Sequence, residues 1–243
     1  MRSLIIGASS GLGRSLAYNL ASKGCDLIIS SSDKSDLIPI SKHLTYLYKV
    51  RVDCIEADAG NSGLFSKILL TKIINYDDIE YVFFPMGISF DDDNIRIDNH
   101  RASELININF QSIVLVCNFI LTNKKFSRLK TIVGFGSIAT ARSRKTNILY
   151  TAAKCALKSY FQSIRHSCSD RVNIQFYEPG YLISQQSIYK KLILKPTSSD
   201  KFAELIFNKI DKKFGVRFYP FYWYIIARII QKMPWFIFKK LNF

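Results

Sequence analysis

Short runs rich in Ile, Val and Phe recur along the chain, with helical-period segments between them. The runs are SLIIG (3–7), DLIIS (26–30), VRVDCIEA (50–57), IEYVFF (79–84), KTIVGFG (130–136) and RVNIQFY (171–177). Broken by Gly, Asp or Pro, these runs have the pattern of strands covered on both faces. GRSLAYNLASKG, residues 62–74, ASELININFQSIVLVCNFIL and ILYTAAKCALKSYFQSIRHSC carry apolar residues at spacings of three and four, which predicts helices. Strand and helix in alternation predict βαβ units. The expected fold is α/β: a doubly wound parallel sheet in three layers, with right-handed crossovers and ligand beyond the carboxyl ends of the strands.

At 243 residues one sizeable core is expected, in a single domain over residues 1–217, with residues 218–243 as an appended tail. The five cysteines, Cys25, Cys54, Cys117, Cys155 and Cys168, are scattered and form no C-x-x-C pair, which points to a reducing compartment. Residues 1–13 run directly into a glycine loop without the h-region and cleavage site of a signal peptide, so a cytoplasmic location is expected. A formal net charge of +15 calls for an anionic partner.

GASSGLG (7–13) follows the first strand and opens a helix, with glycines at 7, 11 and 13. A tight turn, close backbone approach and helix N-terminal amides are what a pyrophosphate needs, so a Rossmann-like dinucleotide site is expected here. Farther along, Tyr150 and Lys154 stand four apart in a helical run and share a face. An ammonium held close to a phenol favours the phenolate, and a phenol with an ordinary pKa of about 10 needs such help to exchange protons near neutrality.

The glycine spacing and YTAAK resemble the G-x-x-x-G-x-G and Y-x-x-x-K motifs of the short-chain dehydrogenase/reductase family. Ser137 in VGFGSIAT lies thirteen residues before Tyr150, where that family has its serine. Asn109 in NINFQS matches the family's helical asparagine, Asp58 in EADAG its adenine-contacting aspartate, and EPGYLIS (178–184) its P-G-x-V-x-T. Ile6 replaces the usual threonine, and FPMG (84–87) replaces N-N-A-G, which removes asparagines that brace the central strands.

The resemblance implies a Tyr150 that gives its proton to a carbonyl oxygen as hydride arrives, with Ser137 holding that oxygen. It also implies that Lys154 binds the nicotinamide ribose while Asn109 holds a water that relays protons. Cofactor contacts are implied at Gly7, Ser9, Ser10, Gly11, Leu12, Gly13 and Arg14, at Ser31, Ser32 and Lys34, at Asp58, Ala59 and Gly87, and at Pro179, Gly180, Leu182 and Ser184. NADP(H) is favoured over NAD(H): the positions after DLIIS that would carry an NAD-selective carboxylate are Ser31 and Ser32, with Lys34 and Arg14 nearby. A homo-oligomer paired through the helices around 105–121 and 148–168 is also implied.

The acids of DDDNIRID (91–98) read as a solvated loop edge, and His43, His100 and His166 are isolated, so no metal is expected. Residues 212–243 hold seven Lys or Arg and no acid, with both tryptophans. Within them Arg228, Lys232 and Tyr224 share one stripe, and Tyr222, Ile225, Ile226, Ile229, Ile230 and Met233 line the other, up to a stop at Pro234. This amphipathic helix is too short and charged to span a bilayer. It suits an anionic membrane surface, or packing on a neighbour or the substrate cleft. No nucleic-acid module is present, so no nucleic acid partner is expected. The expected function is reduction of a ketone, or oxidation of the matching alcohol, on a small-molecule or lipid-linked substrate. A keto-sugar of cell-surface polysaccharide synthesis stands first; a keto-lipid or 3-oxoacyl carrier substrate, or an idle nucleotide-binding protein, are the alternatives.

Overall fold

The computed structural model describes residues 1–183 and 196–240. Seven strands form one parallel sheet: β1 (Arg2–Ile6), β2 (Asp26–Ser31), β3 (Val52–Glu56), β4 (Ile79–Phe84), β5 (Thr131–Phe135), β6 (Asn173–Pro179) and β7 (Val216–Tyr219). Their order is β3-β2-β1-β4-β5-β6-β7. The order reverses between β1 and β4, so a crevice opens at their carboxyl ends, where open α/β sheets bind ligands.

Helices cover both faces. On one lie α1 (Gly11–Ser22), α2 (Lys34–Tyr48) and α7 (Ser199–Asn208); on the other lie α3 (Ser62–Ile73), α5 (Ser112–Thr122) and α6 (Ile148–Cys168). α4 (Asn99–Ile106) leads into α5 through a π turn, Asn107–Gln111. Strand residues split by parity: Leu4, Ile6, Val82 and Phe84 enter the core under α3, α5 and α6, whereas Ile5, Tyr81 and Phe83 enter the core under α1, α2 and α7. That two-residue period explains why the runs are apolar throughout. The segment Asn99–Thr122 is long and apolar enough to cross a membrane by length and composition. Here Ile113, Val116, Cys117 and Ile120 of it pack into the core over the sheet.

Two elements escape the periodic reading. α2 contains Pro39, which interrupts its apolar spacing, but Leu37, Ile40 and Leu44 still face the core and Asp33 caps its start. β7 has only four residues, and none is fully buried, so its run carries little apolar signal. It pairs Phe218 with Glu178 and Tyr219 with Pro179. The boundary expected at 217/218 therefore falls inside a strand. Beyond it the chain forms α8 (Tyr222–Lys232), which ends before Pro234, and the single turn α9 (Trp235–Phe238).

Phe161 on α6 fills the centre of its layer. Its ring meets Phe84, Tyr160 and Phe176, and lies where a Cβ on Gly134 of β5 would come within 2.5 Å of it. Phe161→Ala should therefore cost about 3–5 kcal/mol, read as a lower denaturation midpoint without a change in the denaturant slope.

Candidate active site

The site starts where β1 ends. Gly7 has φ +98°, and a Cβ there would come within 2.8 Å of the Met86 backbone at the end of β4. Only glycine tolerates both the angle and the approach. A Cβ on Gly13 would sit 1.8 Å from the Gly7 carbonyl, so α1 abuts its own loop. Gly11, φ +48°, has nothing within 4 Å of its Cβ position and faces open space.

Ser10 is extended and its side chain caps nothing, and the first turn of α1 holds no acid. The first amides there, at Gly11, Leu12 and Gly13, are left for an external anion. Exposed Arg14 stands in that same turn, an unfavourable place for a cation unless an anion is beside it. Ser9 lies in the same loop, half-buried. These features fit a dinucleotide pyrophosphate.

At the end of β2, Ser31 is buried and its carbonyl accepts from Ala57 N, while Ser32 and Lys34 are exposed. The carboxylate that follows them, Asp33, accepts from Ser35 N at 2.7 Å to cap α2, and that bond lowers its pKa. Asp58 accepts from Gly60 N at 2.9 Å, and the buried Ala59 gives its carbonyl to Ser112 Oγ at 3.0 Å. Asp58 also edges an open cleft of about 520 Å³ that reaches His100, Ser103, Glu104 and Asn107 on and beside α4. Ser137, Tyr150 and Lys154 do not line this cleft.

Gly87, Asn109, Ser137, Tyr150 and Lys154 converge beyond β4 and β5. The π turn carries Asn109 inward, where its Nδ2 donates to Ile88 O and Leu105 O at 2.9 and 3.0 Å. Its buried Oδ1 accepts no hydrogen bond from the described residues. A Cβ on Gly87 would lie 2.8 Å from that oxygen and 3.1 Å from Lys154 Nζ, so the absent side chain leaves amide and ammonium facing each other. Lys154 is 3 % exposed and donates to Phe135 O at 3.2 Å, with Met86 O at 3.5 Å. The carbonyl of Met86 thus uses FPMG to hold the lysine, while Phe84 stays in the core. Ser137 opens a short 3₁₀ turn, Ile138–Ala141, by accepting from Ala139 N.

The electrostatics differ from the simple pairing expected of Tyr150 and Lys154. Burial raises the phenol's pKa, and the opposing influence is a hydrogen bond with the Ser137 hydroxyl, not the lysine. Burial also brings Lys154 down to about 8, and its Nζ stands 5.9 Å from the tyrosine ring centroid. In the protein alone, desolvation outweighs the mutual attraction.

Three supports had no clear signal in the sequence. Asp93 is fully buried, and its two oxygens accept from Leu149 N and Tyr150 N, each at 2.9 Å. It corrects the solvated-edge reading, which holds for exposed Asp91 and Asp92. The reason is that Asn147, the residue before α6, is left-handed at φ +55° and its side chain caps nothing, so the first amides of the helix need an acceptor from elsewhere. Glu178, also fully buried, has Lys158 Nζ at 3.0 Å and Thr140 Oγ1 at 2.5 Å; Thr140 Oγ1 is also 2.8 Å from Ser137 O. This ties the serine turn to α6. Third, a Cβ on Gly180 would lie 1.8 Å from Trp223 Nε1, so α8 rests on the loop after β6. In that loop Pro179 ends β6 and Leu182 bridges Thr197. Ser184 lies outside the described residues.

A parallel Rossmann-type sheet, a glycine loop at its first turn and a Ser, Tyr and Lys cluster beyond β4 and β5 together define a nucleotide-binding α/β oxidoreductase. The profile of the short chain dehydrogenase family matches residues 2–190, and the chain belongs to that family. It is an NAD(P)-dependent oxidoreductase. The 11-beta-hydroxysteroid dehydrogenase-like 2 of Arabidopsis thaliana is 24% identical over 219 residues, 86% of this chain and 70% of that protein. The 3-oxoacyl-[acyl-carrier-protein] reductase FabG of Rickettsia bellii is 26% identical over 215 residues, 86% and 80% of the two chains. The chain spans about half the length, 52%, of two other Arabidopsis hydroxysteroid dehydrogenases that it matches. Among solved structures, a short-chain dehydrogenase from Sphingobium yanoikuyae in complex with NADPH superposes with a TM-score of 0.83 at 18% identity, over 100% of this chain and 96% of that one.

Asp93→Ala should leave two buried N–H groups unpaired, costing about 1–3 kcal/mol and speeding hydrogen exchange at Leu149 and Tyr150. Lys154 supplies a second check. Between its folded value of about 8 and its ordinary 10.5 the unfolded chain binds the extra proton, so this group's contribution to stability rises with pH over that window. Melting temperatures of the cofactor-free protein and Lys154→Met, taken from pH 7 to 10, should show the variant's advantage shrinking as pH rises.

Proposed function

We propose that the protein reduces a ketone with NADPH, or oxidises the matching alcohol with NADP⁺, at the cluster of Ser137, Tyr150 and Lys154. The observation that carries this reading is the Ser137 hydroxyl beside the half-buried Tyr150 phenol, whose rise in pKa it opposes, with the Lys154 ammonium held beside Gly87 and Asn109. The cofactor, when bound, supplies or takes up the hydride. Ser137 hydrogen-bonds the substrate oxygen and stabilises charge as it develops. Tyr150 gives that oxygen a proton. Lys154 holds the ribose and lends positive charge, and the free Oδ1 of Asn109 receives the proton-relaying water. The preference for NADP(H) rests on Asp33, whose carboxylate is engaged in capping α2, leaving hydroxyls at 31 and 32 and cations at Lys34 and Arg14. The Sphingobium relative's NADPH complex agrees.

For the substrate, a ketone carried on an anionic or membrane-linked molecule suits the net charge of +15, with a lipid-linked keto-sugar first. A keto-lipid or 3-oxoacyl substrate is the second reading, favoured by the hydroxysteroid dehydrogenase and 3-oxoacyl reductase relatives. The protein works in the cytoplasm as a homo-oligomer paired through α5 and α6, at the inner face of the membrane, with residues 218–243 as the contact.

Fluorescence titration should give tighter binding of NADPH than of NADH. NADPH consumption should then be followed against a keto-sugar nucleotide, a 3-oxoacyl thioester and a hydrophobic ketone. Tyr150→Phe should keep nucleotide affinity and lose turnover of whichever ketone reacts; persistent turnover would remove Tyr150 from the mechanism, and no nucleotide binding would overturn the reductase reading.

A further inference from the structure

α8 and α9 have an unusual division of surfaces. Of α8, only Trp223 and Ala227 are buried, and of α9 only Phe238. Eight of the sixteen large exposed apolar side chains among the described residues fall between 221 and 237, including Phe221 (70%), Ile229 (59%), Trp235 (65%) and Phe236 (63%). Arg228, Lys232, Lys239 and Lys240 are exposed on the same two elements, and residues 212–243 contain no acid. Apolar and aromatic side chains interspersed with cations complement the acyl boundary and headgroups of an anionic bilayer. A two-fold contact with a second copy would instead bring these cations against their own equivalents, with no acid in the segment to pair them.

The inward surface of the same pair clamps two site loops. Trp223 seats on Gly180 and meets Tyr181 edge-on, with ring centroids 5.5 Å apart. Arg142 follows the 3₁₀ turn that begins at Ser137. Its Nη1 donates to Ile230 O at 3.0 Å and to Met233 O, both at the carboxyl end of α8, and its guanidinium lies 4.2 Å over the Phe238 ring. With so few buried side chains, the pair sits at the low-stability end of the fold. A ligand that binds only its folded form stabilises whatever that form holds.

We propose that an anionic lipid surface is an activating ligand: docking of the α8–α9 face stabilises the Ser137–Arg142 turn and the Pro179–Tyr181 loop through Arg142 and Trp223. This rests on the membrane-surface and nucleotide-site readings above and adds a coupling between the two sites. Coupling is reciprocal, so lipid tightens NADPH binding by the same factor by which NADPH tightens lipid binding, about fivefold or more.

The test uses the full chain with vesicles of equal parts phosphatidylglycerol and phosphatidylcholine, and vesicles of phosphatidylcholine alone. NADPH affinity, vesicle co-sedimentation and hydrogen exchange over residues 137–142 are read together. The expected result is binding to the anionic vesicles that weakens with salt, tighter NADPH binding, and slower exchange over the turn. Ile225→Glu/Ile229→Glu, both on the exposed face, should lose all three responses while binding NADPH normally without vesicles. Arg142→Ala should still bind vesicles and lose the slowed exchange; if it fails to fold, the double glutamate variant decides alone. Vesicle binding with unchanged NADPH affinity and exchange would overturn the coupling and leave the membrane location standing. Normal NADPH binding without vesicle binding would overturn both, and a dimer split by the double glutamate variant would assign the face to a second copy. If NADPH fails to bind, the reductase reading falls and the coupling, stated between lipid and nucleotide, falls with it.

Discussion

β1 and β4 lie side by side at the centre of the sheet, and their ends touch where Gly7 passes the Met86 backbone. That contact sets the rest of the site. It turns the glycine loop over the sheet edge and places α1's free amides at the crevice mouth. It also aims the Met86 carbonyl at Lys154. A side chain on Gly7 would push the two strand ends apart, and loop, crevice and lysine would shift with them.

The cost of this arrangement appears as buried charge. Lys154, Asp93 and Glu178 are each nearly or wholly removed from water, which is unfavourable unless every charge finds partners. Asp93 finds two backbone amides, Glu178 a lysine and a threonine, and Lys154 only carbonyls. The first two are structural supports whose bonds hold α6 and the serine turn. Lys154 is left under-compensated, which is why its proton is held loosely; a lysine poised near neutrality beside a phenol is the kind of perturbed group on which proton transfer relies.

The two ends of the site are held differently. The nucleotide end is built into the sheet, where strand pairing and core packing over-determine it. The end at the serine turn is bordered by α8, which the body of the protein holds through Trp223, Ala227 and the Arg142 bonds.

The sequence by itself determined whatever depends on local periodicity and spacing. Six strands, most helices, the glycine loop, the one-turn separation of Tyr150 and Lys154, and the end of α8 before Pro234 all follow from neighbours a few residues apart. Tertiary structure alone decided the rest. Asp93 caps a helix that begins more than fifty residues later in the chain, a relation with no sequence period. The short strand β7 exists because β6 offers an edge to pair with, and α2 survives Pro39 because its leucines find a core. The inward face of α8 is Trp223 and Ala227, not the longer stripe of isoleucines, because the shapes of Gly180 and Arg142 select it. Even the sign of the Tyr150 shift came from burial, a property of the assembled layers and not of a four-residue spacing.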